Sequence, residues 1–292
     1  MEIDYICEFS VLAETCNFLE AADQLFISQS SLSRHLKTLE KELGVPLFDR
    51  TTRSVTLNGF GQLFLPYARQ IAAIRYEYTT AIGNAVNAEH GNIRIGSIPV
   101  MTQYRITDVM MRFRQENPRF TLDVIEADSN QLTKMLRSNQ CDLAFIREWD
   151  DRDNEFNKVR YTTDTLSALL PPNHPLSREK VLHLEQLKAE PLILLGKDTF
   201  MYSLCVQECR KAGFVPQVVF TGHRAENIVD LVRKGMGIAL LTRQPTLRLI
   251  GDDIVLLDIE PRVTTTISLA YSKVHPLSIG SRHFIELVKS ST

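Results

Sequence analysis

The chain has 292 residues, which is enough for about two domains of ~150 residues each. Its composition, 44% hydrophobic and 23% charged residues, is that of an ordinary globular protein. The longest stretch without a charge covers residues 54–68, shorter than the roughly 20 apolar residues of a membrane-spanning helix. Glu2 and Asp4 stand where a secretory signal would be basic, so we expect a cytoplasmic protein without a membrane partner.

Charge placement is more informative than the net charge, which is only −2. Residues 1–90 carry eleven Asp and Glu against seven Lys and Arg, so their average is acidic. Binding to a nucleic acid depends on the local electrostatic field rather than on the summed charge of the segment. Most of the basic residues fall in one short stretch: Arg34, Lys37, Lys41, Arg50 and Arg53.

The five cysteines are an odd number and do not suggest a disulfide framework, which fits a reducing compartment. Cys205 and Cys209 are four residues apart and share one face of a predicted helix. That spacing differs from the CxxC of a dithiol motif. Two small half-buried side chains are the simpler interpretation, and a redox pair is the alternative.

The basic stretch lies in a predicted arrangement of three helices. Asn17 is a good N-cap for a short second helix, with Glu20 at the capping-box position. Ser28 caps a third helix that runs from Gln29 to about Leu43, and Gly44 supplies its C-cap. On this third helix one side is apolar (Leu32, Leu36, Leu39, Leu43) and other faces are polar (Gln29, Ser30, Ser33, Arg34, Lys37). Two such helices joined by a tight turn have the geometry that enters a DNA major groove.

Residues 47–57 predict two short strands around a polar, basic tip. Such a hairpin is typical of the wing of a winged helix-turn-helix, and Arg53 near its tip could reach phosphate or the minor groove. A solvated basic hairpin on an unrelated small domain is the alternative.

Three consecutive segments carry a family resemblance: FLEAADQL at 18–25, ISQSSLSRHL at 27–36 and LEKELGVPLFDR at 39–50. Together they closely resemble the signature of LysR-type transcriptional regulators over about sixty residues. Ser30 departs from it, because many members have proline there, and we expect a slightly altered helix start. The resemblance implies double-stranded DNA with a roughly palindromic operator as partner, contacted by Ser28, Gln29, Ser30, Ser33, Arg34, Lys37, Arg50 and Arg53.

The next segment has an apolar repeat of 3.5 residues, the pattern of a coiled-coil seam. Its members are Phe60, Phe64, Tyr67, Ile71, Ile74, Tyr78, Ala81 and Ala85. Pro66 lies inside this repeat and predicts a kink or a local opening. An amphipathic helix packed on its own domain is the alternative. The resemblance favours a linker helix that pairs two subunits, in a homodimer or homotetramer, followed by a hinge at 87–91.

From residue 92 the sequence alternates between strand and helix patterns, which predicts mainly parallel sheets flanked by helices. The predicted strands cover 93–97, 120–126, 142–146, 191–195, 218–220 and 237–241. The predicted helices cover 101–116, 130–139 and 199–212, with a further one through 232–234.

Four looser segments of this region resemble the effector domain of the same family, which is itself similar to type 2 periplasmic binding proteins. They are GNIRIG at 91–96, CDLAF at 141–145, KAGF at 211–214 and VRKGMGIALL at 232–241. The implied fold is an α/β chain with an N-terminal all-α winged helix-turn-helix and a C-terminal effector domain of two α/β subdomains. We expect domains at 1–57 (DNA binding), 58–90 (linker helix and hinge) and 91–292 (effector binding). Within the last, subdomain I covers 91–162 with 267–292, and subdomain II covers 163–266.

Ligands of such sheets settle at the carboxyl ends of strands, beside helix N-termini. The candidate effector contacts are therefore Ser97, Pro99, Val100, Met101, Thr102, Ser129, Arg147, Thr199, Phe200, His223 and Arg224. Helix N-termini and cationic side chains such as Arg147 favour an anionic or polar small molecule. Ordinary helix capping and surface ion pairs are the alternative roles for each of these residues.

No motif of an enzyme stands out. The sequence contains no HExxH, no GxSxG and no Walker loop, and none of its seven histidines pairs at metal-ligand spacing. We therefore expect a transcriptional regulator that is not an enzyme and that needs no metal or cofactor, with RNA polymerase as a further partner. A thiol- or peroxide-sensing regulator that uses Cys205 and Cys209 is the alternative. An enzyme or a solute-binding protein on the same α/β fold is a remote one.

Overall fold

The computed structural model describes residues 2–50, 55–86, 91–148 and 155–291 of the chain. The chain divides into two compact units, Met1–Val86 and Asn87–Thr292. In the described residues no helix is both long enough and apolar enough to cross a membrane.

The N-terminal unit consists of helices and one small hairpin. Its helices are α1 (Ile3–Thr15), α2 (Phe18–Gln24), α3 (Gln29–Leu43) and α4 (Gly59–Val86), and its strands are β1 (Phe48–Arg50) and β2 (Val55–Leu57). The two strands pair antiparallel, with Phe48 opposite Leu57. Helix α4 continues through Pro66 without a break in the helix.

The core of this unit forms where the apolar faces of the helices meet. Phe9 of α1 is fully buried, and its ring lies 5.4 Å from the ring of Phe48 and 5.2 Å from that of Phe64. Burying aromatic rings of this size contributes much of the stability of a small domain. The predicted N-cap Asn17 is confirmed, because its side chain accepts hydrogen bonds from the backbone N–H groups of Leu19 and Glu20.

The first half of the C-terminal unit is built on strands in the order β4-β3-β5-β12-β6. These are β3 (Gly91–Ser97), β4 (Phe120–Glu126), β5 (Leu143–Glu148), β6 (Phe156–Leu170) and β12 (Thr264–Ser272). Helices α5 (Ile106–Glu116), α6 (Ser129–Arg137) and α10 (Ile279–Ser291) belong to the same half. Strands β3, β4 and β5 are parallel, and β12 is antiparallel to both β5 and β6.

The second half continues from β6 in the order β6-β10-β8-β9, with β11 and β7 paired beside β6. Its strands are β7 (Val181–His183), β8 (Pro191–Leu195), β9 (Gln217–Gly222), β10 (Ile238–Thr242) and β11 (Val255–Glu260). Its helices are α7 (Phe200–Lys211), α8 (Ala225–Arg233) and α9 (Arg243–Leu247), with two short 3₁₀ turns at Pro175–Arg178 and Leu184–Leu187.

Strand β6 links the two halves. It pairs with β12 from Phe156 to Thr165 and then with β10 and β11 from Leu166 to Leu170. Both subdomain boundaries predicted from the sequence, at 162 and 266, fall inside strands, β6 and β12 respectively. The chain therefore passes between the halves within hydrogen-bonded strands, not through loops.

The structure corrects several predicted elements. The helix predicted at 101–116 begins only at Ile106, because residues 101–105 form turns and Arg105 has a left-handed φ of 60°. Strands β6, β11 and β12 were not predicted at all. The predicted hinge at 87–91 lies outside the described residues except for Gly91, which begins β3.

Candidate functional site

The third helix of the N-terminal unit presents a polar face. Ser28 accepts a hydrogen bond from the backbone N–H of Ser31 at 3.1 Å, and Gly44 closes the helix with φ of 74°. On its apolar side Leu32, Leu36 and Leu39 are completely buried. Because these leucines fix the rotation of α3 about its axis, the remaining faces are set toward solvent, and the exposed residues among those predicted are Ser28, Gln29, Ser30, Arg34 and Lys37.

Three predicted DNA contacts are not among these exposed residues. Ser33 is half-buried, closer to the apolar side of α3 than the sequence suggests. Arg50 ends β1, but its side chain lies outside the described part of the structure, and Arg53 lies outside it entirely. The contribution of the wing therefore stays a prediction.

Helix α3 is also held by a polar contact that the sequence analysis missed. The Nδ1 atom of His35 lies 2.9 Å from Oε2 of Glu8 on α1, and the ring of Tyr5 stacks on the imidazole at 4.4 Å between centroids. Burial raises the pKa of Glu8 above its ordinary value, although its hydrogen bond to His35 opposes this shift. The contact fixes α3 on α1, on the side away from its exposed polar residues.

The apolar residues of α4 divide into a packed set and an exposed set. Phe64, Ala68 and Ile71 pack into the core of their own unit. A second stripe is exposed and consists of Phe60, Leu63, Tyr67, Ile74, Tyr78 and Ile82. Two members of the predicted seam, Phe64 and Ile71, pack partly against the domain's own core, and Leu63 and Ile82 join the exposed stripe. Pairing of two subunits through this seam stays a prediction. The side chains of Ala81 and Ala85 are outside the described part.

A cavity of about 100 Å³ lies between the two halves of the C-terminal unit. The first half contributes residues that follow β3, begin α6 and end β5, and the second half contributes the ends of β8 and β10 and the starts of α7, α8 and α9. The lining residues are Ile98, Pro99, Val100, Asp128, Ser129, Arg147, Leu195, Phe200, Met201, Ala225, Leu241, Thr242, Pro245 and Thr246.

Arg147 is the cationic residue of this lining and is only 5% exposed. Its guanidinium donates to the hydroxyls of Thr265 at 2.6 Å and Tyr104 at 2.7 Å. Tyr104 in turn donates to Oδ2 of Asp164 at 2.5 Å, and burial raises the pKa of Tyr104 to about 12. Among the residues that the structure describes, no carboxylate forms an ion pair with Arg147. The carboxylate of Asp164 lies one hydroxyl away, beyond Tyr104, and balances the guanidinium only indirectly. The guanidinium thus lacks a direct anionic partner, which a bound anion would supply.

The helix N-termini at the cavity differ in how their N–H groups are satisfied. Asp128 caps α6 by accepting from the N–H of Asn130 at 2.9 Å, and it also accepts from the N–H of Phe200 at the start of α7 at 3.0 Å. This carboxylate thus already occupies the N-terminus of α7. Helix α8 begins at Ala225 in the cavity wall, and the side chain of Arg224 makes no capping hydrogen bond there. At the start of α9 the N–H of Gln244 donates to the carboxylate of Asp164 at 3.0 Å, so the start of α8 is the N-terminus left to offer its dipole to a bound anion.

Family models match almost the whole chain. The model described as the LysR substrate binding domain matches residues 87–292. The model described as the bacterial regulatory helix-turn-helix protein, lysR family, matches residues 6–62. The chain belongs to the LysR family. It is a DNA-binding transcriptional regulator whose C-terminal domain binds a small-molecule effector.

Curated relatives of this LysR-type regulator align with it along most of their length. The uncharacterized HTH-type transcriptional regulator YybE of Bacillus subtilis (strain 168) is 30% identical over 244 residues, which is 82% of each chain. The transcriptional dual regulator GltC of the same organism is 28% identical over 282 residues, 93% of this chain and 94% of that protein.

Solved structures support the same fold. The full-length LysR-family regulator CbnR, complexed with its target DNA, matches all of both chains with a TM-score of 0.63 at 21% identity. The C-terminal domain of a probable LysR-family regulator from Rhodococcus sp. RHA1 matches 68% of this chain and 98% of its own, with a TM-score of 0.60 at 26% identity.

The cavity of this LysR-type regulator contains only part of the predicted effector set. Pro99, Val100, Ser129, Arg147 and Phe200 line it. The other predicted residues do not: Ser97 is buried in β3, Met101 packs on the core of the first half, Thr102 is exposed, Thr199 is the buried N-cap of α7, and His223 and Arg224 are exposed. The residues that the sequence analysis missed are mainly apolar or lie around α9, a five-residue helix whose Pro245 gives it the sequence of a turn.

Cys205 and Cys209 lie in the core of the second half and are at most 1% exposed. Burial raises the pKa of both thiols above the ordinary value, for Cys209 to about 12. A thiol in such an apolar site is poorly accessible and carries little thiolate, the reactive form. The structure therefore gives the thiol-sensing alternative no support.

Proposed function

We propose that this regulator contacts base edges with Gln29, Ser30 and Arg34 of α3, and that it responds to a small anionic effector in the cavity beside Arg147. The exposed polar face of α3 supports the first part, because a helix that presents such residues at its N-terminal end fits a major groove. Ser28 and Lys37 contribute phosphate contacts. The family consists of transcriptional regulators, and we propose no enzymatic activity, no metal and no cofactor, with the cytoplasm as the place of action.

The buried guanidinium of Arg147 carries the proposal for the effector. It lies in the wall of a cavity of about 100 Å³, and Ala225 brings the N-terminus of α8 to the same cavity. For comparison, an apolar cavity of about 150 Å³ accepts benzene. The smaller cavity of this regulator therefore fits a more compact molecule, such as a short-chain carboxylate. The apolar remainder of the wall, including Leu195 and Leu241, leaves room for a short hydrocarbon part.

The effector would act through its preference for one arrangement of the regulator. A ligand shifts an equilibrium only by the difference between its affinities for the two states. Asp128 and Asn130 of the first half already contact Phe200 and Asp198 of the second half across the cleft. A bound anion between Arg147 and α8 would add a further link between the halves and thereby favour the arrangement in which they are joined.

The first experiment measures fluorescence anisotropy of the purified full-length protein with DNA from upstream of its own gene, at several salt concentrations. We expect tight binding over competitor DNA, with an affinity that falls steeply as salt rises because the phosphate contacts release counterions. Binding no tighter than to random DNA at every salt concentration would contradict the proposed recognition of this site.

A second experiment tests the effector chemistry by thermal shift. Acetate, pyruvate and oxalate are compared with the neutral, similarly sized acetamide, on the wild type and on Arg147→Met. We expect a carboxylate to raise the melting temperature of the wild type, because a ligand of the native state stabilises it by mass action. Equal shifts with acetamide, or equal shifts in Arg147→Met, would contradict an anion site at Arg147.

A further inference from the structure

The turn between α2 and α3 contains an unusual residue. Phe26 has a left-handed φ of 54°. Its backbone N–H donates to the carbonyl of Asp23, and that of Ile27 donates to the carbonyl of Ala22. These two bonds form a Schellman motif, whose left-handed position is normally glycine, because a Cβ atom there approaches the following carbonyl oxygen.

Three other helices end with the same motif and follow the usual preference. In the described residues the same pair of backbone bonds ends α6, α7 and α8, and the left-handed position is occupied by Asn139, Gly213 and Gly235. Asparagine and glycine are the residues that tolerate this conformation. Phe26 is thus the exception among these four helix ends, and Cys16, which ends α1 with a left-handed φ of 50°, is a further residue other than glycine or asparagine in this conformation.

Packing does not explain the phenylalanine either. Its side chain is 95% exposed, more than any other large hydrophobic side chain in the described residues. An exposed ring gains nothing from burial in the folded chain, and the left-handed backbone disfavours it. Neither the backbone nor the core favours phenylalanine here, and strained positions of this kind cluster at functional sites.

The surface that continues from Phe26 is the DNA-contacting end of α3. Ser28, Gln29 and Ser30 follow it directly and are all exposed. Because three residues of chain span at most about 10 Å, the ring lies within reach of the groove that receives the first turn of α3. Phenylalanine contacts the C5-methyl group of thymine in such grooves.

We propose that Phe26 is a further specificity-determining residue of this regulator, which packs its ring against a thymine methyl group at the edge of each half-site. This inference rests on the proposed function, because it needs α3 in the major groove. RNA polymerase is the other kind of partner that an exposed ring could meet. DNA is favoured because the ring is continuous with the exposed start of α3.

The test begins with selection of duplexes from a random-sequence pool by the full-length wild type. Each thymine of the selected duplex is then replaced by deoxyuridine, which removes only the methyl group. We expect Phe26→Asn to melt at the same or a higher temperature than the wild type, because asparagine suits the left-handed position. We expect its affinity for the selected duplex to fall about fivefold or more, the usual effect of one lost base contact.

The decisive measurement combines the two changes. At one thymine in each half-site, deoxyuridine should weaken binding by the wild type and should leave binding by Phe26→Asn unchanged. Val274→Asn is the matched control, since Val274 is an 80% exposed apolar residue of the C-terminal unit and its loss should leave DNA affinity unchanged.

If the wild type selects a sequence and Phe26→Asn binds it equally well, the contact with DNA is overturned. A loss of transcription from the bound promoter in that variant would then assign the ring to RNA polymerase. If deoxyuridine weakens both proteins equally at every thymine, the methyl contact is overturned. If the wild type selects no sequence at all, the proposed function fails, and this inference fails with it.

Discussion

The DNA-contacting face of α3 and the effector cavity are built in opposite ways. The face of α3 comes from one continuous segment, in which three buried leucines determine which residues face solvent. The cavity is assembled from strand ends and helix starts of both halves of the C-terminal unit, and residues as distant in sequence as Ile98 and Thr246 line it. A local site of the first kind follows from helical periodicity alone, whereas a dispersed site of the second kind exists only after the sheet topology is formed.

The two regions also differ in the environment of their cations. Arg34 on α3 is exposed, and Arg147 at the cavity is 5% exposed. Salt screens an exposed charge strongly and a buried charge much less. We therefore expect substitutions on the exposed face of α3 to change DNA affinity and its salt dependence, and substitutions at the cavity to change only the response to effector.

The largest effect is expected from the exposed stripe of α4, which would pair two subunits. Ile74→Glu places a charge in the middle of this stripe, where burial in an interface would be costly. We expect the oligomer to dissociate and the affinity for a two-half-site operator to fall by a factor on the order of 100 or more, because the second half-site contact loses its high effective concentration. Sedimentation velocity and anisotropy measure the two effects.

The matched control is Gln62→Glu, which introduces the same charge at another exposed position of α4. Helical geometry places Gln62 well away from the stripe, so this variant should stay oligomeric. An Ile74→Glu protein that remains oligomeric would show that the stripe is not the interface. Binding to two half-sites would then not depend on pairing through α4.

The next effect concerns a single DNA contact. Arg34→Ala should weaken operator binding by about 1–3 kcal/mol if the guanidinium contacts a base, and it should relax the preference for that base pair. Anisotropy with the operator and with single-base variants measures both. Arg248→Ala, which removes an exposed arginine of the C-terminal unit, should bind like the wild type. An unchanged operator affinity in Arg34→Ala would remove Arg34 from the recognition surface.

The sequence predicted the N-terminal unit better than the cavity for a physical reason. The start and end of α3 follow from Ser28 and Gly44, and both act within one turn of the helix. The bounds of β4 and β8 were also predicted correctly, because each is a compact strand pattern bounded by turn or capping residues. These features depend only on neighbours in sequence.

Features that depend on distant partners were missed. Strand β6 mixes polar and apolar residues over 15 positions, because its first part pairs with β12 and its last part lies buried between β10 and β11. The hydroxyl partners of Arg147 come from residues 104 and 265, far away in sequence. The exposed stripe of α4 was predicted as a seam, but only packing in the folded unit separates Phe64 and Ile71 from it.

At the cavity the largest effect is expected from loss of the buried guanidinium. Arg147→Met should lower the affinity for a carboxylate effector by about 1.5–3 kcal/mol, the contribution of a hydrogen bond to a charged group. The fold should survive, because Tyr104 still donates to Asp164 and Thr265 still donates to the carbonyl of Asp164. Isothermal titration with the carboxylate found by thermal shift measures the affinity, and circular dichroism checks the fold.

The same variant decides whether the two regions are separable. Without effector, Arg147→Met should bind the operator with the affinity and the salt dependence of the wild type. A weaker salt dependence would mean that the buried guanidinium takes part in DNA binding, and the distinction between exposed and buried cations would no longer hold.

The smallest effect is expected from the buried cysteines. Cys205→Ser should leave the effector response intact, because Cys205 lies in the core and its Sγ contacts the carbonyl of Leu240 rather than the cavity. A serine hydroxyl can donate to that carbonyl, so we expect a loss of stability of only about 1 kcal/mol. Denaturant unfolding measures the stability, and anisotropy with and without effector measures the response.

Peroxide treatment of the wild type gives the complementary test. Burial raises the pKa of Cys205 and Cys209, so little thiolate is available for oxidation at neutral pH. Operator affinity should therefore be the same before and after treatment, and both thiols should react with a labelling reagent only after unfolding. If peroxide changed operator affinity in the wild type but not in Cys205→Ser, this regulator would respond to oxidation of Cys205 in its core. Binding of an effector in the cavity would then not be its only signal.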